Sequence, residues 1–147
     1  MRFLSALVGS VLSAATLVGC ASQTEAPEQA QAEIRYESRV GVQLFMWPWD
    51  SIAAECEFLG ESGVDWVLTS PPQEHITGAA WWTVYQPVSY KIESRFGTRE
   101  QFANMVATCS EQGVDVLADA VINHMTAQTS GTGYAGTKFT KYEYEGL

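Results

Sequence analysis

Positive charge is scarce in this chain. Eight Lys and Arg stand against 17 Asp and Glu, a formal net charge of −9. Phosphate backbones are bound by clustered cations, so nucleic acid is a poor partner and none is expected. The excess of acid reads as solubility. Long apolar runs are missing as well. The one at the N-terminus, residues 3–19, carries no charge but falls short of the ~20 residues that a membrane helix needs. No glycine-rich phosphate fingerprint follows the first strand-like run, which leaves a dinucleotide-binding fold unsupported. Cysteine is down to three: Cys20, Cys56 and Cys109.

What is present at the N-terminus is a targeting pattern. A short positive start, Met1-Arg2, precedes the apolar run, and residues 1–19 read as a signal peptide. The run ends in Leu17-Val18-Gly19-Cys20, which resembles a bacterial lipobox. That resemblance implies cleavage before Cys20 and a lipid on its sulfur, hence an exported cell-envelope lipoprotein. An ordinary secretory signal is the alternative, and it also exports the chain. Residues 20–39 follow as a linker, rich in Ala, Gln and Glu. With Cys20 lipidated, Cys56 and Cys109 remain. In an oxidising compartment they can pair, or they can stay as buried thiols.

The folded part begins near Val40. The run from Val40 to Trp47 has the length and apolarity of a buried strand, stopped by Pro48. Asp50 is a candidate cap for a helix carrying Ile52, Cys56 and Leu59, which Gly63 ends. Asp65 to Thr69 reads as a second strand. Thr98 and Gln101 form a capping-box pattern for a second helix, with Phe102, Met105, Val106 and Cys109 on one face and Gly113 at its end. Val114 to Ile122 reads as a third strand. "ESGVDWVLTS" (61–70) and "EQGVDVLADA" (111–120) echo each other at the two helix-to-strand junctions. Strand, helix, strand, helix, strand is the order of a parallel α/β fold, either doubly wound or a (β/α)8 barrel.

Two clusters invite chemistry. The long loop from Ser70 to Gly97 holds "GAAWWTVYQPVSY" (78–90). Flat rings suit the C–H faces of a sugar, with His75, Tyr85 and Gln86 as polar partners for its hydroxyls. The same rings could instead tuck under the loop as a satellite core. The second cluster, "DAVINH" (119–124), sits at the end of the third strand, where a barrel places its active site. Asp119 in an apolar strand needs a partner. Asn123 offers a neutral oxygen suited to calcium, and His124 can bond a ligand hydroxyl. A plain strand end with turn-forming polar residues is the alternative.

"DAVINH" resembles the first signature region of the α-amylase family of glycoside hydrolases, and "WWTVYQPVSYKI" (81–92) resembles the matching loop of its animal-type subgroup, which also occurs in bacteria. "ECEFLG" (55–60) and "VLTSPP" (67–72) resemble that subgroup's first helix and second strand. The similarity runs in order from Val40 to Met125. It implies a (β/α)8 TIM barrel and calcium-dependent endo-hydrolysis, with retention, of α-1,4-glucosidic bonds in starch or glycogen. On this chain it implies that Asn123 is a calcium ligand and that His124 and Tyr85 contact the sugar next to the scissile bond. Trp81, Trp82 and Gln86 line neighbouring subsites, and Asp119 supports the site without transferring protons. It also implies a Cys56–Cys109 disulfide. A second family bridge, which would need a cysteine near Glu93, is absent.

The same resemblance sets an expectation about extent. Residues 40–125 correspond to the first three strands and two helices of a barrel, and residues 126–147 to the start of the domain inserted after strand three. The tail from Thr126 to Gly136 reads as an unstructured loop. A barrel needs at least about 200 residues. The family's nucleophile, its acid/base and the ligands of an activating chloride belong to later strands, and neither Asp119 nor Glu74 matches a catalytic position. An incomplete barrel, inactive by itself, is therefore expected. A lipid-tethered, non-catalytic glucan-binding protein is the alternative.

Overall fold

In a computed structural model, residues 39–145 are described. The signal peptide, Cys20 and nearly all of the linker lie outside the described residues. Three short strands, β1 (Gly41–Leu44), β2 (Trp66–Thr69) and β3 (Asp115–Ala118), pair in parallel in the order β1-β2-β3. Two helices make the crossovers, α1 (Trp49–Glu61) and α2 (Arg99–Glu111).

Periodicity explains the helices. Trp49, Ile52, Cys56 and Leu59 fall on one face of α1, and all four are buried. On α2 the buried residues are Met105 and Cys109, with Phe102 packed against the same core. Val106 is instead 38% exposed, on the open side of α2. The Thr98 hydroxyl accepts from the Gln101 N–H, and the Gln101 side chain accepts from the Thr98 N–H, so the capping box forms as expected. Asp50 does not cap α1. Pro48 holds the N-cap position, and Asp50 sits in the first turn, where its carboxylate accepts from Gln101 Nε2 at 2.6 Å.

The internal echo has a structural cause. After each helix the chain turns through a glycine at positive φ, Gly63 at 77° and Gly113 at 74°, values that other residues rarely adopt. The next residue, Val64 or Val114, donates back to Leu59 or Cys109. Then an aspartate enters the sheet. Arg39 binds both copies, donating to the Asp65 carbonyl at 3.0 Å and to the Asp115 carboxylate at 2.7 Å.

One core joins the sheet to both helices. Val42, Val67 and Val116 are in register across the three strands and join one core with residues of both helices. A disulfide joins α1 to α2 through Cys56 and Cys109, Cα–Cα 4.9 Å. Sequential parallel strands with successive helices on the same face fit the start of a barrel and equally one half of a doubly wound sheet, so the winding alone leaves both alternatives open. The opposite row, Gln43, Leu68 and Leu117, points away from the helices, and Leu117 is 44% exposed.

Three expectations need correcting. The first strand does not run to Trp47: it ends at Leu44, and a turn through Phe45 and Met46 stops it before Pro48. The third strand is shorter than Val114 to Ile122. It pairs only over Asp115–Ala118, so Asp119 lies just beyond the ladder rather than within it. The segment 126–136 is also not an unstructured loop. Ser130–Thr132 (β4) and Lys138–Thr140 (β5) form an antiparallel hairpin. Its anchor is Phe139, buried against Ile76 and Val88 in a second small core.

Candidate functional site

Parallel strands put their C-terminal ends on one edge, and three connections meet there: the β1–α1 turn, the β2–α2 loop and the segment after β3. The aromatic stretch lies in the middle one. Trp81–Tyr85 forms a short 3-10 helix. Thr83 and Val84 turn inward and are buried, while Trp81 is 58% and Trp82 51% exposed. The loop does not tuck its rings under itself as a satellite core. Val84 joins the main core, Ile76 and Val88 pack with Phe139 in the second small core, and the two indoles stay outside.

Main-chain clamps hold the platform. Thr83 caps the turn by donating its hydroxyl to the Ala80 carbonyl at 2.7 Å. The Arg95 guanidinium donates to the carbonyls of Gly78, Ala79 and Ala80 at 3.3–3.4 Å. Nothing in the sequence singled out Arg95.

His75 cannot reach a sugar, contrary to expectation. It is fully buried. Nδ1 lies 2.7 Å from the Ile76 carbonyl, and Nε2 accepts from the Arg95 N–H at 3.4 Å. That pattern fixes the neutral Nδ1–H tautomer. Burial lowers its proton affinity, and the Arg95 charge adds to the fall; the Ile76 carbonyl and Glu74 oppose it without reversing it.

Glu74 is the larger surprise. It is buried, and its carboxylate accepts from Ser89 Oγ at 2.6 Å, Ala135 N at 2.8 Å and Thr137 N at 3.1 Å. Burial by itself would push this carboxyl upward. The bonds from Ser89, Thr137 and Ala135 outweigh it and hold the group below its ordinary value. Gly133 packs so closely on the Glu74 carboxylate and Val88 that a Cβ there would collide with both. Glu74 thus ties the β2–α2 loop to the β4–β5 turn. A lone Glu in a polar stretch carries no sequence signal of such a role.

Of the residues expected to bind sugar, Trp81 and His124 both meet Tyr85. Tyr85 is half-buried beside Asp119. Burial and that carboxylate push its phenol up to about 12, so the hydroxyl keeps its proton at neutral pH and directs it to Asp119. His124 is exposed and sits 2.9 Å from the Tyr85 carbonyl through Nε2. A carbonyl only accepts, so Nε2 carries a proton, and in the neutral ring Nδ1 is left as an acceptor. Gln86 works mainly as a tie: its amide oxygen accepts from Ala127 N at 3.0 Å and Thr126 Oγ1 at 3.3 Å. Asn123 is exposed near the end of β3. Among the described residues no group of three His, Cys, Asp or Glu could hold a metal ion.

Residues 52–140 match the model of the alpha amylase catalytic domain. The chain belongs to the α-amylase family. Its three parallel strands and two helices are part of the α-amylase TIM barrel. The chain is 50% identical over 134 residues to an alpha-amylase of Streptomyces violaceus, an alignment covering 90% of this chain and 23% of the relative. An alpha-amylase of Thermomonospora curvata is 45% identical over 155 residues, covering 99% of this chain and 25% of the relative. Among solved structures, wild-type alpha-amylase I of Eisenia fetida superposes with a TM-score of 0.71 at 45% identity, over 74% of this chain and 23% of that one. A mutant of the Eisenia enzyme was solved as a maltohexaose complex. The chain spans about a quarter of the length of the curated α-amylases it matches.

Proposed function

We propose that this chain supplies the aromatic side of the α-glucan site of an exported α-amylase, an enzyme that cleaves α-1,4-glucosidic bonds of starch or glycogen internally and with retention. The observation that carries this reading is the pair of exposed indoles, Trp81 and Trp82, on a hydrogen-bonded turn at the C-terminal strand edge, where Trp81 and His124 both meet Tyr85. An exposed indole pair gains from covering a sugar's C–H face, and a clamped turn gives up little entropy when it does so. His124 orients sugar hydroxyls, and Tyr85, whose single proton is directed to Asp119, offers them its phenol oxygen as an acceptor and its ring as a stacking face.

Retaining hydrolysis needs a nucleophilic carboxylate and a carboxylic acid held protonated, about 5–5.5 Å apart. Glu74 is committed to Ser89, Ala135 and Thr137, and its affinity for a proton falls, opposite to what an acid catalyst requires. The 147-residue chain alone is therefore a binding surface that hydrolyses nothing. The test uses purified chain and its Trp82→Ala variant. Wild-type protein should be retarded by glycogen in a native gel and release no reducing sugar; the variant should bind about tenfold more weakly. Unretarded wild-type protein defeats the binding reading, and released sugar defeats the inactivity.

Calcium belongs to the proposal through Asn123. Its neutral oxygen fits that hard cation, but calcium takes 6–8 oxygen ligands and the described residues offer no acidic cluster to complete the shell. No chemical step is assigned to the ion. A calcium-dependent rise in Tm that Asn123→Ala abolishes is the check. An activating chloride, proposed on the family resemblance alone, has no assigned ligand in this chain. The lipid on Cys20 is proposed on the sequence pattern alone, and Cys20→Ser should move the protein from the membrane to the soluble fraction.

A further inference from the structure

The aromatic platform does not end at Trp81. Phe45, on the β1–α1 turn, meets the Trp81 ring edge-on with centroids 6.1 Å apart and an interplanar angle of 64°. Trp81 in turn meets Tyr85 edge-on at 6.2 Å. Three rings from two different connections therefore form one contiguous row, and Phe45 stays 40% exposed at its end.

The turn that presents Phe45 is built against local preference. Trp47 N donates to the Leu44 carbonyl at 3.3 Å, closing a four-residue turn with Phe45 and Met46 at its corners. Met46 has φ 64°, at the corner where such turns usually place glycine. A side-chain-bearing residue persists there only when its surroundings over-determine it. Here the Met46 N–H donates to Ser70 Oγ at 2.8 Å, from the first residue after β2, and the Met46 side chain packs on the main core. The turn is thus locked to the root of the loop that carries Trp81. A strained, externally pinned turn that only exposed a phenylalanine to water would be a net cost. Setting the indole against which a sugar packs gives it a use.

We infer that Phe45 is a positioning residue of the α-glucan surface: its ring edge fixes the orientation of Trp81, so that the β1–α1 turn tunes glucan affinity through the indole. This rests on the proposed glucan-binding reading. Without Phe45 the Trp81 side chain gains rotamer freedom and must be ordered by the ligand. An aromatic pair of this geometry corresponds to a change of about three- to tenfold in affinity.

The test is a double-variant cycle on the 147-residue chain, with maltohexaose as the probe and tryptophan fluorescence as the signal. Phe45→Ala should weaken binding about three- to tenfold, Phe45→Tyr should restore it, and Phe45→Ala should have no further effect in a Trp81→Ala background. Near-UV circular dichroism of Phe45→Ala should lose part of its tryptophan signal while the Tm stays close to wild type. Unchanged affinity in Phe45→Ala overturns the inference. So does an equal loss in the Trp81→Ala background, which would mean direct contact or general loosening. Wild-type protein that ignores maltohexaose defeats the underlying reading, whereas binding lost in Trp82→Ala but kept in Phe45→Ala defeats this inference alone.

Discussion

Glu74 carries more of the structure than its sequence context suggests. It is a buried carboxylate satisfied by one hydroxyl and two backbone N–H groups from a segment about sixty residues away. Glu74→Ala strands those donors and should cost on the order of 3 kcal/mol. Glu74→Gln keeps an oxygen for the N–H groups and turns an amide toward Ser89, so about 1 kcal/mol is expected. Linkage separates the two causes. A carboxyl held below its ordinary value stabilises the fold fully above that value, 4.5 here, and the contribution is lost as pH falls through it toward the folded value. His75, also depressed, loses its contribution as pH falls below 6.5. Urea unfolding between pH 3 and 7 should therefore weaken in two stages. Glu74→Gln should shrink the lower stage, leaving the part due to Glu100 at the start of α2, and should spare the upper one; a variant that keeps the full acid slope would show that Glu74 is not a responsible group. None of this was legible beforehand. Tyr85, Trp81, Trp82 and His124 could be proposed from residue type and from their place after strands. Glu74, Arg95 and Phe45 act through what other segments bring to them, and that information lies in the tertiary fold.

Among elements, the helices were readable because their signals are local. The stripe of Trp49, Ile52, Cys56 and Leu59 and the Thr98–Gln101 box need no partner to be seen. Strand ends were not. Val121 and Ile122 continue the apolar run of β3, but no strand among the described residues pairs with them, and Ile122 is 78% exposed. The β4–β5 hairpin hid in a Thr- and Gly-rich stretch, because its register depends on Phe139 reaching Ile76 and Val88. The covalent tie between α1 and α2 gives a prediction at this scale. It closes a loop of 53 residues, and removing such a link from the denatured chain should cost about 2–4 kcal/mol. Cys56→Ser with Cys109→Ser should lower the urea midpoint accordingly, without changing the far-UV spectrum at low denaturant. Equal midpoints with and without reductant in the wild type would mean that the helices hold together by packing alone.

At the scale of the whole molecule, three parallel strands do not close. Among the described residues, β1 and β3 each pair on one side only, and Leu117 faces outward beside the open edge of the sheet. An uncovered edge with an apolar row beside it is a template for another chain. The net charge of −9 works against this, since like-charged copies repel. Which effect prevails depends on salt: at 0.1 M the Debye length is about 10 Å, so repulsion between separated surfaces fades while strand pairing and apolar contact do not. The 147-residue chain should therefore associate from micromolar concentrations upward, and more strongly as salt is raised. Light scattering coupled to size exclusion, at low and high sodium chloride, measures this directly. Association that weakens with salt would point to pairing of opposite charges instead. A strict monomer at high salt would show that the sheet edges are covered by residues outside 39–145.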